Sequence, residues 1–467
     1  MNVTVSKAPK TTTHILFVDT NEAINIADFE GKKETVAVRY EGDKTLIYAG
    51  MGDKRSCSLS IIRGVAAKAV KTAAGLKRTK VALLEPTLPE GDDTATRACL
   101  EGAILGSYIF DKYRSEKSDR LKSIEVVSTR MKRTEAQAIA QVCECVGYVR
   151  DLVNDNASVV NPQYLAKEAR KLSRSSKRIA TTILDEKELR DKGLGLLSAV
   201  GQGSPYPPRL IIMEYRGNAR NKETSAIVGK GITFDSGGQD LKARGHIETM
   251  RTDMAGAGAV LGIMKALTLL QPSVNVIGVV TAAHNAIDGT SYFPGDIYRA
   301  YNGKTVEIAN TDAEGRLALA DALSYLQKHY KPSKIIDLAT LTGGVLSALG
   351  STVAAVISNS DALADSLFAV GERTGERLWR LPLYEEHSDS LKSEFADLRN
   401  TSTFKRGHAS TITAAAFIKE FIGDLPWAHL DIAGTAFNQG EARGEIPKNA
   451  TGFGVRLVYE YLVGSGR

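Results

Sequence analysis

The stretch Ala226-Ile-Val-Gly-Lys230-Gly-Ile-Thr-Phe-Asp235-Ser-Gly-Gly238 decides the fold, because a short apolar strand runs directly into a polar cluster. Working outward, the same kind of run recurs at Val274-Asn-Val-Ile-Gly-Val-Val, Lys334-Ile-Ile-Asp-Leu, Val353-Ala-Ala-Val-Ile and Trp427-Ala-His-Leu-Asp-Ile. Helical stretches such as Ala255–Leu270 and Glu314–Tyr330 lie between these runs. Apolar strands alternating with helices predict an α/β fold with a mostly parallel central sheet flanked by helices. In such sheets ligands bind beyond the carboxyl ends of the strands. The polar residues fall there: Lys230 and Asp235 follow one strand, and Thr340 to Gly344 follow another.

Upstream, residues 1 to about 130 mix strands (14–18, 35–40, 45–49, 80–84) with helices (58–74, 95–110), which reads as a separate, smaller α/β domain. Thr134 to Asn154 keeps helical periodicity with a glycine only at Gly147. The expected organisation is an N-terminal α/β domain over 1–132, a connecting helix over 133–156 and a larger catalytic domain over 157–467. A chain of 467 residues exceeds one ordinary core, so two domains also follow from length.

The apolar fraction of 43% and charged fraction of 24% are those of a soluble globular protein. No run reads as the roughly 20 apolar residues that cross a bilayer. The polar opening Met1 to Lys10 lacks the apolar core of a signal peptide, so a cytoplasmic location and no membrane partner are expected. Cysteines at 57, 99, 143 and 145 make no disulfide framework and no structural zinc set, and read as buried thiols. The net charge is +6, and residues 1–132 hold 22 Lys and Arg against 17 Asp and Glu. That surplus permits weak attraction to polyanions, but no helix-turn-helix or aromatic platform accompanies it, so nucleic acid is not an expected partner.

A second cluster, Asn310-Thr-Asp-Ala-Glu-Gly-Arg-Leu317, opens a helix. Asp312 and Glu314 could simply favour the helix dipole. With Lys230, Asp235, Lys242 and Asp253, however, the chain offers four carboxylates and two lysines among small and apolar residues. Hard divalent cations take oxygen ligands, and paired cations need carboxylates that bridge. Gly229-Lys230-Gly231 is not a phosphate loop: Gly231 stands where Ser or Thr is required and Thr224 where glycine is. No H-E-x-x-H motif occurs, and His429, inside an apolar strand, reads as a hydrogen-bonded core residue.

The spacing Lys230-x4-Asp235-x6-Lys242-x10-Asp253 together with the eight-residue cluster resembles the leucyl (cytosol) aminopeptidase family of dinuclear metallopeptidases. The resemblance runs from about Arg150 to Tyr461 and includes Gly201-Gln-Gly-Ser, Gly303-Lys-Thr-Val-Glu and Trp379-Arg-Leu-Pro-Leu. It implies hydrolysis of a leucine-like N-terminal residue from short peptides by a metal-bridging hydroxide. Two Mn²⁺ or Zn²⁺ ions and a bicarbonate are implied as cofactors, and a homohexamer as the assembly. By matching positions, Asp235 and Glu314 bridge the metals, Asp312 completes a looser site, and Lys230 and Asp253 complete a tighter one. Lys230 would bind as the neutral amine, which requires its pKa to fall from about 10.4. Lys242 would polarise the substrate carbonyl, and Arg316 would hold bicarbonate with the backbones of Ala313, Gly315 and Leu341. Met250, Thr340 and Gly343 would line the pocket for the first side chain. A secondary DNA-binding role, known for some members, is not expected here. The chain departs from the commoner pattern at Gln239-Asp240, Ala243-Arg-Gly-His246, Tyr292-Phe293 and Gly344; none of these is a ligand position.

Overall fold

The computed structural model describes every residue except 23, 25, 89–92, 406–407 and 465–467. It divides into two compact units: Met1–Gly147 with Asn438–Thr451, and Tyr148–Phe437 with Gly452–Arg467.

The first unit is built on a six-stranded sheet with strands β1 (Asn2–Ser6), β2 (Thr13–Asp19), β3 (Val36–Glu41), β4 (Lys44–Gly52), β5 (Lys80–Leu84) and β6 (Ser123–Val127), ordered β1-β6-β5-β2-β4-β3. Its helices are α1 (Leu59–Gly75) and α2 (Asp93–Gly106). The β3–β4 hairpin is antiparallel and the other pairings are parallel. Residues 14–18 form the first well-buried strand, but a further strand precedes it: the polar Asn2–Ser6 segment pairs with Ser123–Val127 at the sheet edge. An edge strand needs only one neighbour and one covered face, so its side chains need not be apolar. No disulfide joins the four cysteines, of which Cys99, Cys143 and Cys145 are buried. The division between the units falls within α3 (Arg133–Asn154).

The second unit runs, in chain order, through α4 (Pro162–Ser175), β7 (Ile179–Leu184), α5 (Glu186–Asp191), α6 (Gly195–Gly201), β8 (Arg209–Arg216) and β9 (Ser225–Asp235). A 3-10 helix (Ile247–Thr252) leads into α7 (Ala255–Leu270) and β10 (Asn275–Asn285), and two short strands, β11 (Ile297–Arg299) and β12 (Thr305–Glu307), precede α8 (Glu314–Tyr330). Then come β13 (Lys334–Ala339), α9 (Gly344–Leu349), β14 (Ala354–Ser358), α10 (Asp361–Thr374), β15 (Leu378–Arg380), α11 (Glu385–Asp389), β16 (Leu398–Arg399), α12 (Ser410–Lys419), β17 (Trp427–Asp431) and α13 (Val455–Gly464).

The eight-stranded sheet has the order β15-β14-β17-β13-β9-β10-β8-β7. Its four inner strands, β17, β13, β9 and β10, are mutually parallel, so their carboxyl ends share one edge. Towards the margins β14, β8 and β7 run antiparallel to their inner neighbours, which makes the sheet mixed. The inner strands are apolar on both faces because helices cover both. Helix α7 approaches β9 and β13 closely: a Cβ on Gly256 would lie 2.1 Å from the Leu338 carbonyl oxygen, so only glycine permits this packing.

By length and hydropathy Ile247–Leu270 does suffice to cross a membrane, contrary to the reading that no run does. Of that window 83% is buried inside the fold, because α7 is a core helix lying on the sheet.

Two buried carboxylates tie the unit together. Asp337 on β13 and His429 on β17 are register partners; the imidazole Nδ1 lies 2.6 Å from Asp337 Oδ1, and Trp427 Nε1 donates to Oδ2 at 2.7 Å. Helix α6 begins at Leu194 without a side-chain cap of its own. Asp321, buried on α8, supplies one from outside: Oδ2 accepts the Leu197 N–H at 2.9 Å and Oδ1 accepts the Tyr301 N–H at 2.8 Å. Asp321→Ala should orphan both donors and lower stability by roughly 1–3 kcal/mol. Urea unfolding checks this, and an unchanged midpoint would contradict the capping role.

Candidate metal and active site

All five residues read as metal ligands reach the carboxyl edge of the inner strands. Lys230 lies within β9 and Asp235 ends it; Asp253 follows the 3-10 helix; Asp312 sits in the loop before α8, and Glu314 is the first residue of that helix. Acidic residues at the start of α8 face the positive end of its dipole. Gly315 is required here, since a Cβ would lie 2.4 Å from Lys230 Cε and displace the lysine stem.

The charges form two lysine-centred groups. Lys230 Nζ lies 2.7 Å from Asp253 Oδ2 and 2.9 Å from Glu314 Oε1, and donates to the Thr340 carbonyl at 3.0 Å. Lys242 Nζ lies 2.8 Å from Asp235 Oδ2 and 2.5 Å from Asp312 Oδ1. The groups meet, because carboxylate oxygens of Asp235, Asp312 and Glu314 all lie within 4.8 Å of one another.

Two ammonium groups neutralise only two of these four carboxylates. Burial raises the Asp253 carboxyl well above its usual range, opposed by Lys230. Burial, then the charges of Asp235 and Glu314, push Asp312 up to about 7. Burial also works to lower both lysine pKa values, but the surrounding carboxylates outweigh it and raise them.

Asp253 Oδ2, Glu314 Oε1 and Asp312 Oδ1 are buried and receive no aligned hydrogen bond among the described residues, although an ammonium lies within ion-pair distance of each. Convergent carboxylate oxygens without aligned donors, in an excess of negative charge, are a donor set suited to hard divalent cations.

Arg316 is buried, and desolvation, partly offset by Glu314 and Asp431, brings its pKa down to about 10. Its Nη1 donates to the Asn400 carbonyl at 2.8 Å, while Nε has no partner among the described residues. Ala313 is buried at the helix entry. The Leu341 N–H donates to Asp431 Oδ1 at 3.2 Å, so it reaches a second anion only as a shared donor.

Thr340 does more than line a pocket. Its hydroxyl donates to Asp253 Oδ1 at 2.8 Å while its carbonyl receives Lys230. Met250 is half-buried in the 3-10 helix, and Gly343 is exposed, with no atom within 4 Å of where its Cβ would stand. His246 is exposed at the N-cap of the 3-10 helix.

Several organising residues carry no signal in the sequence. Asn400 grips the Asp312 loop: Oδ1 accepts the N–H groups of Ala309 and Asn310 at 2.8 and 3.2 Å, and Nδ2 donates to the Asn310 carbonyl at 2.7 Å. Asp431 accepts the Thr342 hydroxyl at 2.6 Å and so anchors the loop that bears Thr340. Asp240, noted only as a departure, accepts the Thr311 N–H at 2.8 Å and joins the Lys242 loop to the Asp312 loop.

Comparison with known proteins agrees with this architecture. Residues 147–459 match the cytosol aminopeptidase family, catalytic domain, and residues 10–117 match that family's N-terminal domain. A probable cytosol aminopeptidase of Protochlamydia amoebophila is 42% identical over 460 residues, covering 96% of this chain and 91% of that protein. A mutant of tomato leucine aminopeptidase superposes with a TM-score of 0.90 at 32% identity, covering 99% of this chain and 96% of that one. The bottromycin maturation enzyme BotP in complex with Mn gives a TM-score of 0.90 at 32% identity, covering 98% and 100%. The paired domains and their matches define a two-domain peptidase. The chain belongs to the cytosol aminopeptidase family, and aminopeptidase activity follows from that membership.

Proposed function

We propose that this aminopeptidase depends on two divalent cations and removes leucine-like residues from the N-termini of short peptides. The observation that carries the proposal is the convergence of Asp235, Asp312 and Glu314, with buried oxygens on Asp253, Asp312 and Glu314 that lack aligned donors. The manganese complex of the similar BotP fold supports the choice of Mn²⁺, with Zn²⁺ as the other candidate. Asp235 and Glu314 would be shared between the ions, Asp312 would complete one site, and Lys230 with Asp253 the other. When bound, the cations supply a nucleophile from water at neutral pH and polarise the scissile carbonyl.

The chain's own groups then act on the substrate. Lys242 Nζ donates a hydrogen bond to the oxygen on which negative charge develops. Arg316 would hold a bicarbonate through its remaining donors, and such an anion would supply a general base beside the site. Met250, Thr340 and Gly343 receive the first side chain, and the open space at Gly343 leaves room for a branched one. A cytoplasmic homohexamer acting on short peptides completes the reading.

A chromogenic leucine amide tests it against the same amide with an acetylated amine. Hydrolysis of the first and not the second is expected; equal rates would sink the aminopeptidase reading.

Cation affinity should depend on pH through Asp312, whose carboxyl is pushed up to about 7 in the metal-free protein, chiefly by burial. Ligation needs the carboxylate, so below that pH the cation at the Asp312 site must displace a proton. Affinity at that site should rise roughly tenfold per pH unit towards neutrality and then level off, while the Lys230 site, whose ligand must be the neutral amine, keeps its pH dependence above neutrality. Mn²⁺ titrations at several pH values check this; a flat profile between pH 5 and 7 contradicts it.

A further inference from the structure

We propose that Asn285 is a positioning residue that fixes the Asp235 carboxylate for the cations; this rests on the metal-dependent reading above. The register of β10 against β9 shifts between Ala283 and Asn285, and this irregularity brings Asn285 opposite Asp235. The asparagine is fully buried, and its Nδ2 donates to Asp235 Oδ1 at 2.8 Å and to the Thr311 carbonyl at 3.1 Å. Both partners are acceptors only, so the opposite amide orientation would set oxygen against two oxygens.

Asp235 Oδ1 also accepts the Gly237 N–H at 2.9 Å. Two neutral donors therefore hold Oδ1, and Oδ2 turns towards Lys242 and the centre of the cluster. The second hydrogen bond fixes the residue just before Asp312. The Thr311 carbonyl also receives the Tyr292 hydroxyl at 2.7 Å, and the Thr311 hydroxyl donates to Gly237 O at 2.6 Å. One amide thus sets the spacing between two carboxylates on separate segments.

Asn285 Oδ1 is buried without a hydrogen-bond partner among the described residues. An unsatisfied buried oxygen is unfavourable, and an apolar side chain of similar size would avoid it. The amide is retained for what Nδ2 does. Partners that orient metal ligands in this way typically change metal affinity by about 10–100-fold when removed.

The test uses metal-stripped full-length protein titrated with Mn²⁺ by calorimetry and electron paramagnetic resonance, with melting temperatures in parallel. Asn285→Leu fills the space without a donor. Asn285→Ser leaves a hydroxyl too short to reach both acceptors, and guards against a misfolded leucine variant. Both should bind Mn²⁺ about 10–100-fold more weakly than wild type, with activity recovered at high Mn²⁺. Tyr292→Phe removes the other donor from the Thr311 carbonyl without touching Asp235, and should weaken Mn²⁺ far less. Unchanged Mn²⁺ affinity in the folded Asn285 variants, or an equal loss in Tyr292→Phe, would overturn the assignment. Wild-type protein that binds no Mn²⁺ would overturn the underlying metal reading as well.

Discussion

Lys242→Met is expected to cut kcat by roughly 10²–10³-fold, the loss typical of removing one donor to a developing oxyanion. KM for a leucine amide should change little, because the contact forms on the oxygen that gains charge and not on the resting carbonyl. Cation affinity should hold or rise. The Lys242 ammonium sits between Asp235 and Asp312, 2.8 and 2.5 Å from their oxygens, and would compete with a cation for both. The metal-free variant should also melt lower, since two carboxylates lose their counter-ion while Asp235 stays buried. Added Mn²⁺ should restore that loss. Separate measurements of kcat, KM, Mn²⁺ affinity and melting temperature check each part. Weakened Mn²⁺ binding with normal turnover would place Lys242 among the ligands.

Glu314→Gln should show the larger effect. Glu314 is 1% exposed and takes part in both groups, facing Lys230 at 2.9 Å and sharing the carboxylate triangle with Asp235 and Asp312. Glutamine keeps the volume and removes the charge that the two proposed cations would share. Turnover should fall beyond the ~10³-fold range of a single electrostatic contact. The stabilisation from added cation should vanish with it. For wild type at a hundred times Kd that stabilisation is about 2.7 kcal/mol for each site, read as a rise in melting temperature that a chelator reverses. A Glu314→Gln protein with the wild-type metal-induced rise would remove Glu314 from the metal site.

The inner strands and helices α7 and α8 were legible because each is a single apolar run bounded by small or polar residues. The margins were less so. Strand β1 lies in the polar opening Met1 to Lys10 and was not read as a strand, yet edge pairing tolerates it. The antiparallel strands β7 and β8 were not read as strands, although β8 carries the apolar run Leu210-Ile-Ile-Met213, so the sheet read as more uniformly parallel than it is. The assignment of Asn438–Thr451 to the first unit depends on distant contacts such as Lys71 Nζ donating to the Gly444 carbonyl, 373 residues apart in sequence, which no local pattern encodes.

The charged residues of the site stood out because lysines and carboxylates are conspicuous among glycine and alanine. Asn285, Asn400 and Asp431 did not. A polar residue at the end of an apolar strand looks like the start of a loop, and only the assembled structure shows what its hydrogen bonds hold. Thr311 lay inside the quoted motif and was passed over, although its amide, hydroxyl and carbonyl are all engaged.

Stripping the protein of metal, and following leucine-amide hydrolysis and bound Mn²⁺ together as the ion is returned, shows whether these carboxylates hold two catalytic cations. The stripped protein should not hydrolyse the amide, and recovery should track two ions per chain. Full activity without metal, or bound Mn²⁺ that leaves a folded protein inactive, would contradict the two-cation reading.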